Sequence, residues 1–180
     1  ERRAVAWTRK AANQGHAEAQ SNLGTAYMYG LGVAKDERRA VEWYTKAAKQ
    51  GNADAQYNLG VMYDNGQGVA KDERRAVEWY TKAAKQGLAD AQSNLGFAYM
   101  NGVGVAKDER RAVEWTRKAA NQGHAEAQSN LGTAYMYGLG VAKDEIRAVE
   151  WDTKAARQGH AKAQFNLGIA YMNGLGVAKD

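Results

Sequence analysis

Residues 37–72 read ERRAVEWYTKAAKQGNADAQYNLGVMYDNGQGVAKD, and this stretch decides the fold of the whole chain. Its first half predicts an amphipathic helix, here named helix B, because apolar residues recur three and four positions apart. Asp36 is placed to cap the N-terminus of this helix, and Gly51 supplies the left-handed residue that ends it. The apolar positions are Ala40, Val41, Trp43, Tyr44, Ala47 and Ala48.

The second half of the stretch predicts another helix over 53–65, here named helix A. Gly66 is its natural stop, and the connection that follows ends in Asp72, the next N-cap. Gly60 lies inside helix A, where glycine costs about 1 kcal/mol relative to alanine. The expected reason for this glycine is the close approach of a neighbouring helix. The unit is therefore a helix–turn–helix pair with short connections.

The same unit recurs along the whole chain. Five units of 36 residues account for all 180 positions. Units of this length cannot bury their apolar faces alone, so they stack on their neighbours. The sequence predicts one all-α solenoid array over 1–180 with half-units at both ends, which suggests a segment of a longer array or an engineered one. The units begin at Glu1, Glu37, Glu73, Glu109 and Glu145.

Composition excludes several classes of site. The chain is 44% hydrophobic and 25% charged, with a net charge of +5 spread evenly over the repeats. Cysteine is absent, which excludes disulfides and thiolate metal sites but leaves the compartment unknown. No apolar run approaches the roughly 20 residues that a membrane helix needs. We therefore expect no membrane partner.

The repeated residues resemble a known family, the Sel-one-like repeats, which are related to tetratricopeptide repeats. This resemblance implies a right-handed superhelix with helix A on the concave face, a bacterial source, and an adaptor role in signalling, host interaction or protein quality control. The chain departs from the family pattern in its proline-free linker and in lacking the cysteine pairs of one secreted branch. In the second unit the matching residues are Trp43, Lys46, Ala47, Ala48, Gln50, Gly51, Ala53, Ala55, Gln56, Asn58, Leu59, Gly60, Tyr63, Gly66, Gly68 and Val69.

Positions that vary between otherwise identical units are the candidates for partner binding, because the constant positions are committed to packing. On helix A the varying positions fall three and four residues apart and form one face, which several apolar side chains occupy. Exposed apolar residues suit a protein or peptide partner. Neutral drift on a solvated face is the alternative. The candidate residues, named the helix A stripe, are Tyr57, Val61, Ser93, Phe97, Thr133, Tyr137, Phe165 and Ile169.

Other features have structural explanations. The five tryptophans, one per unit, are expected in the inter-helix core. The histidines at 16, 124 and 160 occupy the same position in three different repeats. They are therefore expected to lie too far apart to bind one metal ion, and no metal or cofactor is expected. Helix B varies at charged positions, which predicts a solvated face supported by pairs such as Glu42–Lys46. The basic residues of helix B alternate with acidic ones, which argues against nucleic-acid binding.

The expected function is a non-catalytic scaffold that binds a protein or peptide on the helix A face. Enzymatic activity is not expected, because catalysis needs a unique set of residues and the chain offers the same residues five times. The alternative is a structural or engineered array without a natural ligand, able to stack head to tail through its last helix A and first helix B.

Overall fold

The structure is a computed structural model that describes residues 2–177. Over these residues the chain forms ten α-helices and no strand, which confirms the all-α class and the 36-residue helix–turn–helix repeat. The helices are α1 (Arg2–Asn13), α2 (Ala17–Tyr29), α3 (Glu37–Lys49), α4 (Ala53–Asn65), α5 (Glu73–Lys85), α6 (Ala89–Asn101), α7 (Glu109–Asn121), α8 (Ala125–Tyr137), α9 (Glu145–Arg157) and α10 (Ala161–Asn173).

The predicted helix ends are confirmed. Oδ1 of Asp36 accepts a 3.0 Å hydrogen bond from the backbone N–H of Arg39, so the aspartate caps α3. The same bond recurs before α5, α7 and α9. Gly66 ends α4 in the left-handed conformation, with φ of 69°, which a residue with a side chain rarely adopts. These local interactions set the helix boundaries.

The chain divides into two compact units. Residues 1–88 hold α1 to α5, and residues 89–180 hold α6 to α10. In each unit the core consists of alanines around a few large side chains, with Leu59 and Met62 fully buried in the first and Leu95 and Leu131 in the second. Small alanines let the helices approach closely, and the leucines fill the space that remains.

The glycine inside helix A permits the close approach that the sequence predicted. A Cβ added at Gly60 of α4 would lie 2.7 Å from Cδ1 of Tyr80 on α5. Gly24, Gly96 and Gly132 face the equivalent side chains of the following helix B, so this contact occurs in both units, whereas Gly168 of α10 has no atom within 4 Å of an added Cβ. We name the helix B residues in this place the glycine-facing positions. They are Tyr44, Tyr80, Thr116 and Asp152.

Buried glutamines tie successive helices together within each unit. Gln20 on α2 is 5% exposed and donates from Nε2 to the carbonyl of Ala12 at 3.1 Å. Its Oε1 accepts a 2.7 Å hydrogen bond from Nε2 of Gln50, after α3. Buried polar groups require partners of this kind. The repeated glutamine is therefore a structural residue that links three helices.

The tryptophans differ from the prediction. Trp7 is 70% exposed, and the four others are half-buried at the edge of the core. Each indole instead lies beneath the lysine three residues later, as where Nζ of Lys46 is 4.1 Å from the centroid of Trp43. Trp43 packs against the edge of the buried cluster, and the lysine stem covers the outer side of the indole.

The predicted glutamate–lysine pairs of helix B do not form. Within residues 2–177 no ion pair within 4.0 Å joins Glu42 to Lys46 or their equivalents, since each lysine lies over its tryptophan. The lysine and arginine ion pairs of the described residues are found at the start of helix B, where Lys35 contacts Glu37 at 2.9 Å. These pairs are exposed and contribute little to stability.

Candidate functional site

The helix A stripe combines exposed and half-buried side chains. Phe97 is 57% exposed and Tyr137 is 71% exposed, which is unusual for aromatic residues without a partner. Phe165 is also exposed, whereas Tyr57, Val61, Thr133 and Ile169 are half-buried.

Ser93 differs from the rest of the stripe. It is only 6% exposed, because it lies one turn before Gly96 on the side of α6 that packs against α7. Its side chain is therefore not accessible to a partner in this conformation.

In the first unit, the stripe contributes an aromatic contact. The ring of Tyr57 lies 5.9 Å from the ring of Tyr80, centroid to centroid, at an angle of 38°. The Tyr80 hydroxyl donates to Oδ2 of Asp64 at 3.4 Å. Tyr57 therefore packs against α5 on one side, and it remains half-buried, as does Val61 one turn later. Tilted aromatic pairs of this kind give rigid apolar contact area.

In the second unit, two neighbouring cavities open beside the stripe. The first has a volume of about 210 Å³ and lies between α6 and α8, over α7. Phe97, Met100, Val113 and Leu139 give it mostly apolar walls. Stripe residues Phe97 and Thr133 both line this cavity. Apolar concave surfaces of this kind are typical binding sites.

The second cavity has a volume of about 180 Å³ and lies between α8 and α10, over α9. Stripe residues Thr133, Tyr137 and Ile169 line it together with Met136. Thr133 and Lys162 border both cavities, so the two cavities are neighbours. The floor of the second cavity is the glycine-facing residue Asp152.

Asp152 is the residue of the site that the sequence interpretation missed. Its side chain is only 3% exposed, and Nδ2 of Asn166 donates to both carboxylate oxygens at 3.3 Å. Burial raises its pKa from 3.8 to about 6, against the opposing effects of Asn166, Ser129, Lys162 and His160. One signal was available: the eighth position of the repeat, which holds Tyr44 in the second unit and Asp152 in the fifth, varies although it lies on the apolar face of helix B.

The histidines have a structural role. Nδ1 of His16 accepts a 3.2 Å hydrogen bond from the backbone N–H of Ala19, and His124 and His160 cap α8 and α10 in the same way. In the second repeat, Asn52 fills this place and accepts from Ala55 at 2.8 Å. Histidine is thus one of two capping side chains found at this helix start, whereas Leu88 holds the same place before α6.

Within residues 2–177 there is no cluster of three or more histidine, aspartate or glutamate side chains arranged to hold a metal ion. Over the same residues, no helix combines the length and the apolar character needed to cross a bilayer.

The family model that matches the chain is the Sel1 repeat, which covers residues 1–16, 17–52, 53–88, 89–124, 125–160 and 161–180. No curated protein matches the chain. Proteins of the Sel1 repeat family are generally non-catalytic protein-interaction scaffolds.

Solved structures support the same assignment. The chain is similar to c5321, a protective antigen of uropathogenic Escherichia coli with an SLR fold, at 44% identity and a TM-score of 0.93 over 96% of the chain. It is also similar to a Sel1 repeat protein from Oxalobacter formigenes, at 40% identity and a TM-score of 0.89 over 93% of the chain. The chain spans 37% of the first protein and 66% of the second.

A more distant similarity is to the immunity protein Pa5087 from Pseudomonas aeruginosa, at 28% identity. There the TM-score is 0.59 over 94% of this chain and 62% of that protein.

Proposed function

This chain belongs to the Sel1 repeat family, and from that membership we propose that it is a scaffold that binds a peptide or protein segment along the helix A stripe. The proposed array comprises all five units over 1–180 and acts without catalysis or a cofactor. Its partner is a protein, and neither nucleic acid nor membrane is part of the proposal.

One observation carries the choice of face. The exposed aromatic side chains of Phe97 and Tyr137 line two neighbouring cavities in the second unit, one each. Large exposed apolar groups next to a concave surface are the features that anchor partners at interfaces. Within residues 2–177 the exposed residues of helix B are mainly charged, with Trp7 and Ile146 as large apolar exceptions.

The test is selection of a random peptide library on the parent chain, followed by affinity measurement on variants. A Phe97→Ala, Tyr137→Ala double variant should bind the selected peptides more than about tenfold less tightly, since truncating interface anchors costs about 2 kcal/mol or more. Ile146→Ala is the control, because Ile146 is an exposed apolar residue of α9 outside the stripe. Equal loss in both variants, or in neither, would contradict the choice of face.

A second candidate function is head-to-tail self-association. It is favoured by exposed apolar residues on the last and first helices: Phe165, Tyr171 and Met172 on α10, and Trp7 on α1. Sedimentation velocity should then show association that increases with concentration and weakens in Phe165→Ala, Met172→Ala. A monomer at every concentration would exclude it.

A further inference from the structure

The carboxylate of Asp152 is an exception among the glycine-facing positions. The equivalent residues in the earlier repeats are Tyr44, Tyr80 and Thr116, none of which carries a charge at neutral pH. Asp152 lies against Gly132 of α8, where an added Cβ would be 3.0 Å from its Cγ. The carboxylate therefore lies close against the backbone of α8, and Asp152 is only 3% exposed.

The partners of this carboxylate within the chain are few and weak. A carboxylate can accept about four hydrogen bonds, but Asn166 supplies only one nitrogen, 3.3 Å from each oxygen. The buried hydroxyl of Ser129 favours the ionised form without making a hydrogen bond of regular geometry. Within residues 2–177, no lysine, arginine or histidine nitrogen lies within 4.0 Å of Asp152. A buried charge in this condition is costly unless a cation joins it.

The open side of Asp152 faces the 180 Å³ cavity, whose walls suit a long basic side chain. Met136, Tyr137 and Ile169 provide apolar surface for an aliphatic stem, and the carboxylate lies at the floor. Basic side chains bury their methylene groups along apolar surface in this way. The adjoining 210 Å³ cavity with Phe97 and Met100 has room for an apolar neighbour of that residue.

We propose that the Asp152 cavity binds the guanidinium of an arginine from the partner segment, with an apolar residue of the same segment in the adjoining cavity. This inference rests on the proposed function, because it specifies one residue type in the segment that the stripe binds. Arginine suits the site better than lysine, since its planar group pairs with a carboxylate through two hydrogen bonds and is less strongly hydrated.

Lys162 is the alternative cation. It borders both cavities and lowers the pKa of Asp152, and it replaces the acids Glu18, Asp54, Asp90 and Glu126 of the other repeats. It is exposed, however, and makes no ion pair within 4.0 Å with Asp152. A lysine at the rim can be displaced by an arginine that reaches the floor.

The test compares peptides selected at pH 7.5 from one random library on the parent and on Asp152→Thr. Threonine is the matched substitution, because Thr116 fills the equivalent place beside Gly96; circular dichroism checks that the variant is folded. Peptides from the parent should carry arginine at one fixed position, and those from the variant should not. Replacing that arginine by citrulline, its neutral isostere, should weaken binding to the parent by about tenfold or more, as expected for a charged hydrogen bond.

Three other outcomes would overturn the inference. If parent and variant select the same peptides without a basic preference, the cavity does not recognise a cation, whereas the proposed function stands. If the parent selects no peptide at all, the proposed function fails together with the inference. If Lys162→Gln lowers the unfolding stability as much as Asp152→Thr, with no further loss in the double variant, the two residues pair with each other, and Lys162 is the cation that the site holds.

Discussion

The side-chain amide of Gln158 donates a 2.8 Å hydrogen bond to Oε1 of Gln128, which lies 30 residues earlier. Gln128 in turn donates to the carbonyl of Ala120 at 3.1 Å, and its side chain is buried. Gln128→Ala removes both hydrogen bonds, each contributing about 0.5–1.5 kcal/mol, so we expect the free energy of unfolding to fall by about 1–3 kcal/mol. Gln158 keeps its bond to the Gly123 carbonyl, and the Ala120 carbonyl keeps its bond from the Gly123 N–H. Urea denaturation measures this loss.

The control for this prediction is Gln164→Ala. Gln164 holds the same place in the repeat and donates to Ala156 at 3.2 Å, but it is exposed to water. Its loss should change stability by less than about 0.5 kcal/mol. A similar loss of unfolding free energy in both variants would mean that burial of the Gln128 hydrogen bonds adds nothing to stability.

Alanine should have opposite effects at two helix A glycines. At Gly60 the new Cβ would meet the Tyr80 ring at 2.7 Å, so we expect a loss of about 1–3 kcal/mol in unfolding stability. At Gly168 an added Cβ meets no atom within 4 Å, and the residue lies inside α10. Gly168→Ala should therefore stabilise the chain by about 0.5–1 kcal/mol through helix propensity. Thermal unfolding of the two variants checks the signs, and two changes of the same sign would refute the close-approach account.

Replacing a tryptophan by alanine should lower the unfolding free energy by less than it does where the tryptophan is fully buried. Trp151 packs partly against the core and lies beneath Lys154, with Nζ 4.0 Å from the ring centroid. We expect Trp151→Ala to lower the unfolding free energy by about 2 kcal/mol, below the roughly 3–5 kcal/mol of a fully buried tryptophan. Trp7→Ala, at an exposed site, should cost clearly less. Equal losses at the two sites would show that burial does not determine the effect.

The buried carboxylate should make stability depend on pH. Because the pKa of Asp152 is about 6 in the folded chain and 3.8 ordinarily, the folded state binds its proton more tightly than the unfolded state does. Its contribution to stability is full below pH 3.8 and is lost as the pH rises through about 6, by an amount on the order of 2 kcal/mol.

Asp152→Asn isolates this effect, since the variant keeps the shape but does not ionise. The stability of Asp152→Asn minus that of the parent should increase between pH 4 and pH 7.5 in urea titrations. The other groups that face the carboxylate, His160 and Lys162, are the same in both chains, so they cancel to first order. A difference that is constant with pH would contradict the raised pKa.

The elements of this fold were predictable because the signals that set them are local. Asp36 and Gly66 fix helix ends through bonds to their own neighbours, and such bonds depend on a few adjacent residues. The glycine inside helix A was also informative, since an unfavourable residue in a helix implies a packing reason, and Tyr80 supplies it.

Side-chain environments across helices were less predictable. Lys46 can reach either Glu42 or Trp43, and its side-chain rotamer, which sequence spacing does not determine, decides which contact forms. In the structure Lys46 contacts the ring of Trp43. Ser93 and Phe97 are four residues apart on one predicted face, yet one is buried and the other exposed. Asp152 was missed because its burial depends on α8 and α10 together, and no short stretch of sequence carries that information.

Under the proposed function, the glycine-facing position would let a repeat change its binding preference from inside the groove, without a change in its outer surface. The backbone contact is made by the glycine, so tyrosine, threonine or aspartate can occupy the facing place while the helices keep their spacing. A duplicated repeat can therefore acquire a new preference by one interior substitution at the bottom of its groove. Two arrays with identical exposed residues would then sort different partners, and comparing their surfaces alone would not reveal the difference.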